Sequence, residues 1–398
     1  MRTLFFGLLT LISFPLSAQY CTTYDRFTEV QYFDATEVDT ISNVVYGYAL
    51  DYLGVMDTLL IDVYMPNQGV DPLSERPTAL IIHGGAFQTG NKLDRSTECT
   101  ILARSGYVAI SLGYRIGWDQ ADPFNQVVAT YRAQQDAQAA LRYIVENAAT
   151  YGIDTNWLFI GGSSAGSLTS ANVLYVDQSE WNSALPTIPA QLGDLDTSGN
   201  ALTNTYTLNG YFNMWGSVPG FAMQADEMVP MLSFHGELDT TVPIDTSSAD
   251  QYGSRAMHIE LVNEGVCSEL YTEPNGGHGI YTAVYRGQKA ACFFRSIFCD
   301  NCSTLSSINM EPADCSSTVG LTENSLEVYR LYPNPSNGDI KIDGLTGGEN
   351  LQLITMTGQT LYTGAEIDEL NRSFRKAGIY FVLVDNGIRQ ERMRVVRY

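Results

Sequence analysis

The chain has 398 residues, 44% hydrophobic and 17% charged, which is ordinary for a globular protein and enough for one large domain plus a small one. Its 44 acidic against 22 basic residues give a formal net charge of -22, which argues against nucleic acid or an anionic membrane as partner. The imbalance is local: residues 322–398 hold nine Lys and Arg against ten Asp and Glu, leaving 13 against 34 upstream.

The N-terminus, MRTLFFGLLTLISFPLSAQYC, places Arg2 before an apolar run from Leu4 to Phe14 and small residues around Leu16 to Ala18. That run is too short to cross a bilayer and ends in a cleavage-like site, so residues 1–18 read as a secretory signal peptide. Seven cysteines in an exported chain predict disulfides with at least one cysteine left over. The expected odd one is Cys99, in the helix-like STECTILARSGY. Cys299 and Cys302 form a C-x-x-C that closes a domain instead of opening a helix, so they read as staples with Cys21, Cys267, Cys292 or Cys315.

From about residue 40 to 298, apolar runs alternate with helical patterns, which predicts an α/β fold with a mainly parallel sheet. VVYGYAL and TLLIDVYMP read as an opening pair of strands; TALIIH, YVAISLGY, NWLFIGG, TYTLNGYFNMW, PMLSFHG and HIELV read as later ones. Between them FNQVVATYRAQQDAQAALRYIVENAATYG is a long amphipathic helix, and AGSLTSANVLYV and YTAVYRGQKAACFFRSIF are shorter ones. The acidic piece 177–205 reads as a loop or cap insertion. The expected domains are a catalytic unit over 19–299, a Ser/Thr-rich linker over 300–324 and a small β-sandwich over 325–398, with period-two alternation and Asn-Gly, Thr-Gly and Asp-Asn-Gly turns.

Four motifs carry chemistry. Gly162-Ser163-Ser164-Ala165-Gly166 follows a buried-strand pattern and precedes a helix, the context in which a G-x-S-x-G aims its serine; only Ser164 has glycines at both minus two and plus two. ALIIHGGAF sets His83, Gly84, Gly85, Ala86 and Phe87 directly after a strand, where backbone N–H groups can meet a developing oxyanion. FHGELDTTVP puts Asp239 just past a strand, nearer its end than the competing Asp245. Of the four histidines, His83 belongs to the glycine loop, His235 ends a strand and His258 falls inside HIELV, which leaves His278 in EPNGGHGIYTAV to serve Ser164. No cofactor is expected. Neither His83 nor His235 lies in a cluster of metal-ligand spacing, so no metal is expected either. Phe87, Tyr114, Trp118, Met214 and Trp215 lie near predicted strand ends and are candidates for a substrate pocket or for plain core packing.

Taken together and in this order, the motifs resemble the α/β-hydrolase carboxylesterases, especially the hormone-sensitive-lipase-like and feruloyl-esterase-like (BD-FAE) group; YRIGW and QQDAQAALRYIVENAATYGID fit that group too. The resemblance implies Ser164 as nucleophile, His278 as general base and acid, Asp239 as its orienting acid, and the N–H groups of Gly85, Ala86 and Ala165 as oxyanion donors. Ser163, Ser167 and Ala86 depart from the usual Asp, Gly and Gly. Implied substrates are carboxylic esters: acetylated or feruloylated polysaccharide, short-chain lipid or polyester. The alternatives are a serine peptidase of the same fold, since HGELDTTVP also resembles the prolyl-peptidase group, and a non-catalytic surface binding protein. The tail, through LYPNPSNG, TMTGQTL, AGIYFV and the basic run Arg392 to Arg397, resembles the type A sorting domain of type IX secretion cargo in Bacteroidota. It implies a partnership with that machinery and a secreted or surface-attached protein.

Overall fold

The computed structural model describes residues 18–22, 25–247, 250–308, 310–315, 329–355, 359–385 and 390–398. The segment read as a signal peptide, apart from Ala18, lies outside them, as do 316–324 of the expected linker. The chain divides into two units, Met1–Val319 and Gly320–Tyr398.

The first unit is built on a nine-stranded sheet. Its strands are β1 (Val38–Leu50), β2 (Met56–Pro66), β3 (Arg76–Ile82), β4 (Val108–Leu112), β5 (Ile153–Ser163), β6 (Leu208–Met214), β8 (Met231–Gly236), β10 (Ser268–Glu273) and β11 (Leu305–Ser307), while β7 (Ser217–Pro219) pairs apart with β9 (Gln251–Gly253). The order is β1-β2-β4-β3-β5-β6-β8-β10-β11, with β2 antiparallel to both neighbours and the strands from β4 through β11 parallel. All seven residues of β3 are buried, as expected for a central parallel strand covered on both faces. One face is covered by Phe124–Glu146 and Ala165–Tyr175, which pack together, and the other by Ser96–Ser105 and Ala283–Phe298. This is the α/β-hydrolase architecture, and its parallel strands bring their C-terminal ends, where such folds bind ligands, to one edge.

Three expectations change. HIELV is not a strand but part of the helix Ser254–Asn263: Met257 and Leu261, four apart, are both buried against Tyr211 and Met231, so helical spacing wins over the β-branched pair Ile259 and Val262. The insertion 177–205 is partly helical, with Gln178–Ala184 and Thr187–Leu192. The expected linker does not begin at 300, because Leu305–Ser307 extends the sheet and disulfides hold Cys302 to Cys267 and Cys315 to Cys292. A third disulfide joins Cys21 to Cys299, and Cys99 is the buried free thiol.

The second unit holds a two-stranded sheet (Arg330–Tyr332 with Lys341–Asp343) and a four-stranded antiparallel sheet of Thr360–Gly364, Asn350–Thr355, Gly378–Asp385 and Gln390–Arg397 in spatial order. Its core includes Leu351, Leu353, Val382, Val384 and Val395. It is not wholly β: Ile367–Ser373 is a helix whose Leu370 is fully buried in that core.

Candidate active site

Ser164 sits between β5 and the helix Ala165–Tyr175 with φ 52° and ψ -122°, a conformation that a non-glycine residue holds only when its surroundings enforce it. Two glycines make that possible. A Cβ on Gly162 would lie 2.6 Å from the backbone of Gly166 and from the Ile82 oxygen, and one on Gly166 would collide with the carbonyl oxygens of Ile82 and His83. Strand β3 and the turn are therefore in backbone contact, with Ser164 N–H bonded to the Met214 oxygen at 2.9 Å.

The loop after β3 reaches the same point. A Cβ on Gly84 would stand 3.3 Å from Ser164 Cβ. Gly85, Ala86 and Phe87 all have positive φ (111°, 53° and 61°), so the backbone winds left-handed past the serine. The loop is braced from beneath: His83 Nδ1 lies 2.7 Å from the Gly84 oxygen, its ring stacks on Tyr114 at 4.3 Å, and Trp118 donates from Nε1 to the Ala86 oxygen at 3.0 Å. Burial holds the His83 pKa below its ordinary value, against the bond to Gly84. The N–H groups of Gly85, Ala86 and Ala165 have no internal partner among the described residues.

His278 comes from the loop after β10 and Asp239 from the loop after β8. The two loops are pinned backbone to backbone, since Leu238 N–H donates to the Gly276 oxygen at 2.9 Å and a side chain on Gly236 would collide with the oxygens of Gly276 and Gly277. His278 Nε2 lies 2.8 Å from Ser164 Oγ and its Nδ1 lies 2.7 Å from Asp239 Oδ2. Asp239 Oδ1 accepts the N–H groups of Thr241 and Val242 at 2.8 and 3.0 Å. Burial alone would raise the Asp239 pKa, but the imidazoles of His235 and His278 and these two N–H groups overcome it and hold the carboxyl well below the usual carboxylate range. Asp245, the competitor, pairs with Arg255.

A cavity of about 570 Å³ opens beside Ser164. Phe87, Leu168, Val176, Trp181, Leu185 and Phe221 are among its apolar walls, and Glu180 is the one charged residue among the described residues that line it. Burial raises the Glu180 pKa. Of the five pocket candidates only Phe87 lines it. Tyr114 and Trp118 brace the glycine loop, and Met214 is fully buried behind the turn. Trp215 is 8% exposed and stands edge-on to His278 at 6.2 Å with the Arg286 guanidinium over its ring at 5.1 Å. These four do not face the cavity because each is already engaged in the loops and packing around Ser164 and His278. The walls that sequence reading missed, Trp181, Leu185 and Phe221, come from segments whose apolar residues carry no motif.

His235 was also missed as a partner of the acid: its spacing of four from Asp239 is the signal, and its Nε2 lies 3.2 Å from Asp239 Oδ2. Among the described residues the one grouping of three metal-ligand types is Glu29, Cys292 and Cys315, whose two sulfurs are joined in a disulfide.

Residues 61–207 match the sequence model of the BD-FAE family and residues 330–397 that of the secretion system C-terminal sorting domain. Carboxylesterase 3 of Homo sapiens is 36% identical over 127 residues, covering 30% of this chain and 21% of that protein. Para-nitrobenzyl esterase of Bacillus subtilis (strain 168) is 30% identical over 122 residues, covering 30% of this chain and 24% of that protein. The matched stretch thus spans about a fifth to a quarter of these relatives. A solved truncated form of a carbohydrate esterase from gut microbiota aligns with TM-score 0.47 and 21% identity over 66% of this chain and 96% of its own. The chain carries a BD-FAE domain of α/β-hydrolase fold and, behind it, a sorting domain that assigns it to export through type IX secretion, to the extracellular space or the cell surface.

Proposed function

For a chain that carries a BD-FAE domain and an export tail, we propose the activity of a serine carboxylesterase that works through an acyl-enzyme. One observation carries this reading: His278 is hydrogen-bonded at once to Ser164 Oγ at 2.8 Å and to Asp239 at 2.7 Å. Nδ1 must donate to the ionised carboxylate, which leaves Nε2 unprotonated and facing the hydroxyl. His278 takes the Ser164 proton as the oxygen attacks the ester carbonyl, and Asp239 stabilises the imidazolium formed. The N–H groups of Gly85, Ala86 and Ala165 receive the oxyanion, each such donor being worth about 3 kcal/mol in the transition state. The imidazolium then protonates the departing alcohol, and water attacks the acyl-enzyme by the same route in reverse. The His278 side chain is 27% exposed, which gives that water access.

The cavity favours an uncharged substrate. Its walls are mainly apolar and no Lys or Arg lines it among the described residues, so a carboxylate or phosphate on the substrate would meet Glu180 with no described cation to offset its charge. Acetylated or feruloylated polysaccharide, short-chain lipid esters and polyester all satisfy that requirement, and the sorting domain would deliver the enzyme to polymeric substrates outside the cell.

The test is Ser164→Ala assayed on p-nitrophenyl acetate and butyrate. Turnover should fall by on the order of 10⁴-fold or more with the fold unchanged; wild-type turnover would overturn the reading. A panel of acetyl-xylan, methyl ferulate, tributyrin and polyester then ranks the substrates, with a succinyl half-ester expected to be the poorest.

A further inference from the structure

We propose that His235 is a positioning residue for Asp239, held in a single tautomer by a one-way chain of hydrogen bonds that starts at Ser167. The proposal rests on the reading of Ser164, His278 and Asp239 just given. His235 is fully buried at the end of β8, out of reach of substrate. Its Nε2 lies 2.8 Å from the Val242 oxygen and 3.2 Å from Asp239 Oδ2. Both neighbours only accept, so Nε2 carries a proton and shares it between them.

The other ring nitrogen fixes the rest. Nδ1 lies 2.6 Å from Ser254 Oγ, and that hydroxyl is 2.9 Å from Asn213 Nδ2. The Asn213 amide cannot be flipped, because its other end faces the Gly216 N–H at 2.9 Å and must be the oxygen. Asn213 Nδ2 therefore donates to Ser254, and Ser254 gives its own proton to His235 Nδ1. Asn213 Oδ1 also accepts from Ser167 Oγ at 2.7 Å, and the Tyr211 hydroxyl lies 2.8 Å behind Ser167 Oγ. Every donor points the same way: Ser167 to Asn213, Asn213 to Ser254, Ser254 to His235, His235 to Asp239. None of these side-chain atoms is left without a partner. A fully satisfied buried network of this kind resists rearrangement, because reversing one bond strands a polar group in the core. The Nε2–H tautomer of His235 is thus locked.

The consequence falls on Asp239. Its Oδ2 receives His278 from the front and His235 from behind, while Thr241 and Val242 hold Oδ1. Four donors fix the plane of the carboxylate and aim Oδ2 at His278 Nδ1. His235 also draws off part of the negative charge that His278 sees, so its loss should make the imidazolium of His278 easier to form and move the acid limb of activity to higher pH. The other charged groups around this set are Glu237 with Arg255 and Asp245, Glu273 across from Gly236, and Arg286 behind Trp215. They are common to all the variants below.

The experiment measures kcat, KM and the pH profile of kcat/KM on p-nitrophenyl butyrate for the full chain as wild type, Ser164→Ala, His235→Phe and His235→Gln, with a thermal melt of each. His235→Phe should lose kcat on the order of tenfold to a hundredfold at unchanged KM, as expected of misaimed catalytic groups, with its acid limb moved to higher pH. His235→Gln, whose amide nitrogen can donate where Nε2 did, should recover most of both. Wild-type kcat with an unmoved limb in His235→Phe overturns the proposal, and so does equal impairment of both variants with an unmoved limb, which is the mark of lost packing alone. If His235→Phe does not fold, Ser254→Ala carries the test, since it removes the proton that fixes the tautomer; wild-type kcat there is again a refutation. Activity retained in Ser164→Ala sinks the acyl-enzyme reading instead, whereas an inactive Ser164→Ala beside a fully active His235→Phe sinks only this proposal.

Discussion

The two sides of the site are held by different means. Ser164 is placed by backbone: β5 delivers it, β3 presses against the turn, and Gly162 and Gly166 are glycines because carbonyl oxygens occupy the space a Cβ would need. Asp239 and His278 ride on two loops in backbone contact and are aimed in addition by side chains, with His235, Ser254, Asn213 and Ser167 behind the acid and Trp215 and Arg286 behind the imidazole. A backbone device leaves a short, local pattern in the sequence. A side-chain network leaves single polar residues scattered over more than 80 positions, each ordinary by itself.

If that contrast is right, damage to the two sides should differ in kind. The largest effect after loss of Ser164 is expected for Asp239→Asn, which keeps the shape but offers His278 an amide in place of a charge. kcat should fall on the order of 10⁴-fold with little change in fold, and kinetics beside a circular dichroism spectrum would check both halves. Gly166→Ala should do the reverse and fail in folding before chemistry. Its methyl meets the Ile82 and His83 oxygens, so stability should drop by about 1–3 kcal/mol or more, read as a lower denaturation midpoint. A stable Gly166→Ala with normal turnover would break the comparison. The smallest effect concerns acid. Because the native Asp239 carboxyl ionises more readily than the unfolded one, its contribution is present above the unfolded value of about 4 and is lost as pH falls towards the native one. Melts from pH 7 to 3 should show the stability gap between wild type and Asp239→Asn constant near neutrality and closing below about pH 4.

The same distinction explains what the sequence made legible. The fold class was readable because β3, β4 and β5 are near-continuous apolar runs separated by long helical patterns. Ser164 and Asp239 stood out because each follows an apolar run that reads as a strand, whereas His278 was singled out by elimination among four histidines, the strand Ser268–Glu273 before it having left no mark in the sequence reading. His235 was passed over since nothing local shows that β8 and the helix Ser254–Asn263 bring it a hydroxyl on one side and a carboxylate on the other. That helix was itself misread, its five-residue apolar stretch being too short to tell 2.0 from 3.6 periodicity. The cavity was the least legible part. Trp118 and Trp215 look like pocket residues by type and position, yet both are spent on bracing loops, and the actual walls come from the short helix Gln178–Ala184 and its surroundings.

Each of the three disulfides has one partner in the stretch from Cys299 to Cys315. Cys21 is tied to Cys299, Cys267 to Cys302 and Cys292 to Cys315, so the unit is hemmed where its chain runs out towards the sorting domain. The last stitch closes at Cys315, ahead of every residue matched to that domain. A protease that cut between Cys315 and Arg330 would take away the whole export label and leave the hem uncut, so the released enzyme would keep each covalent tie it had while attached.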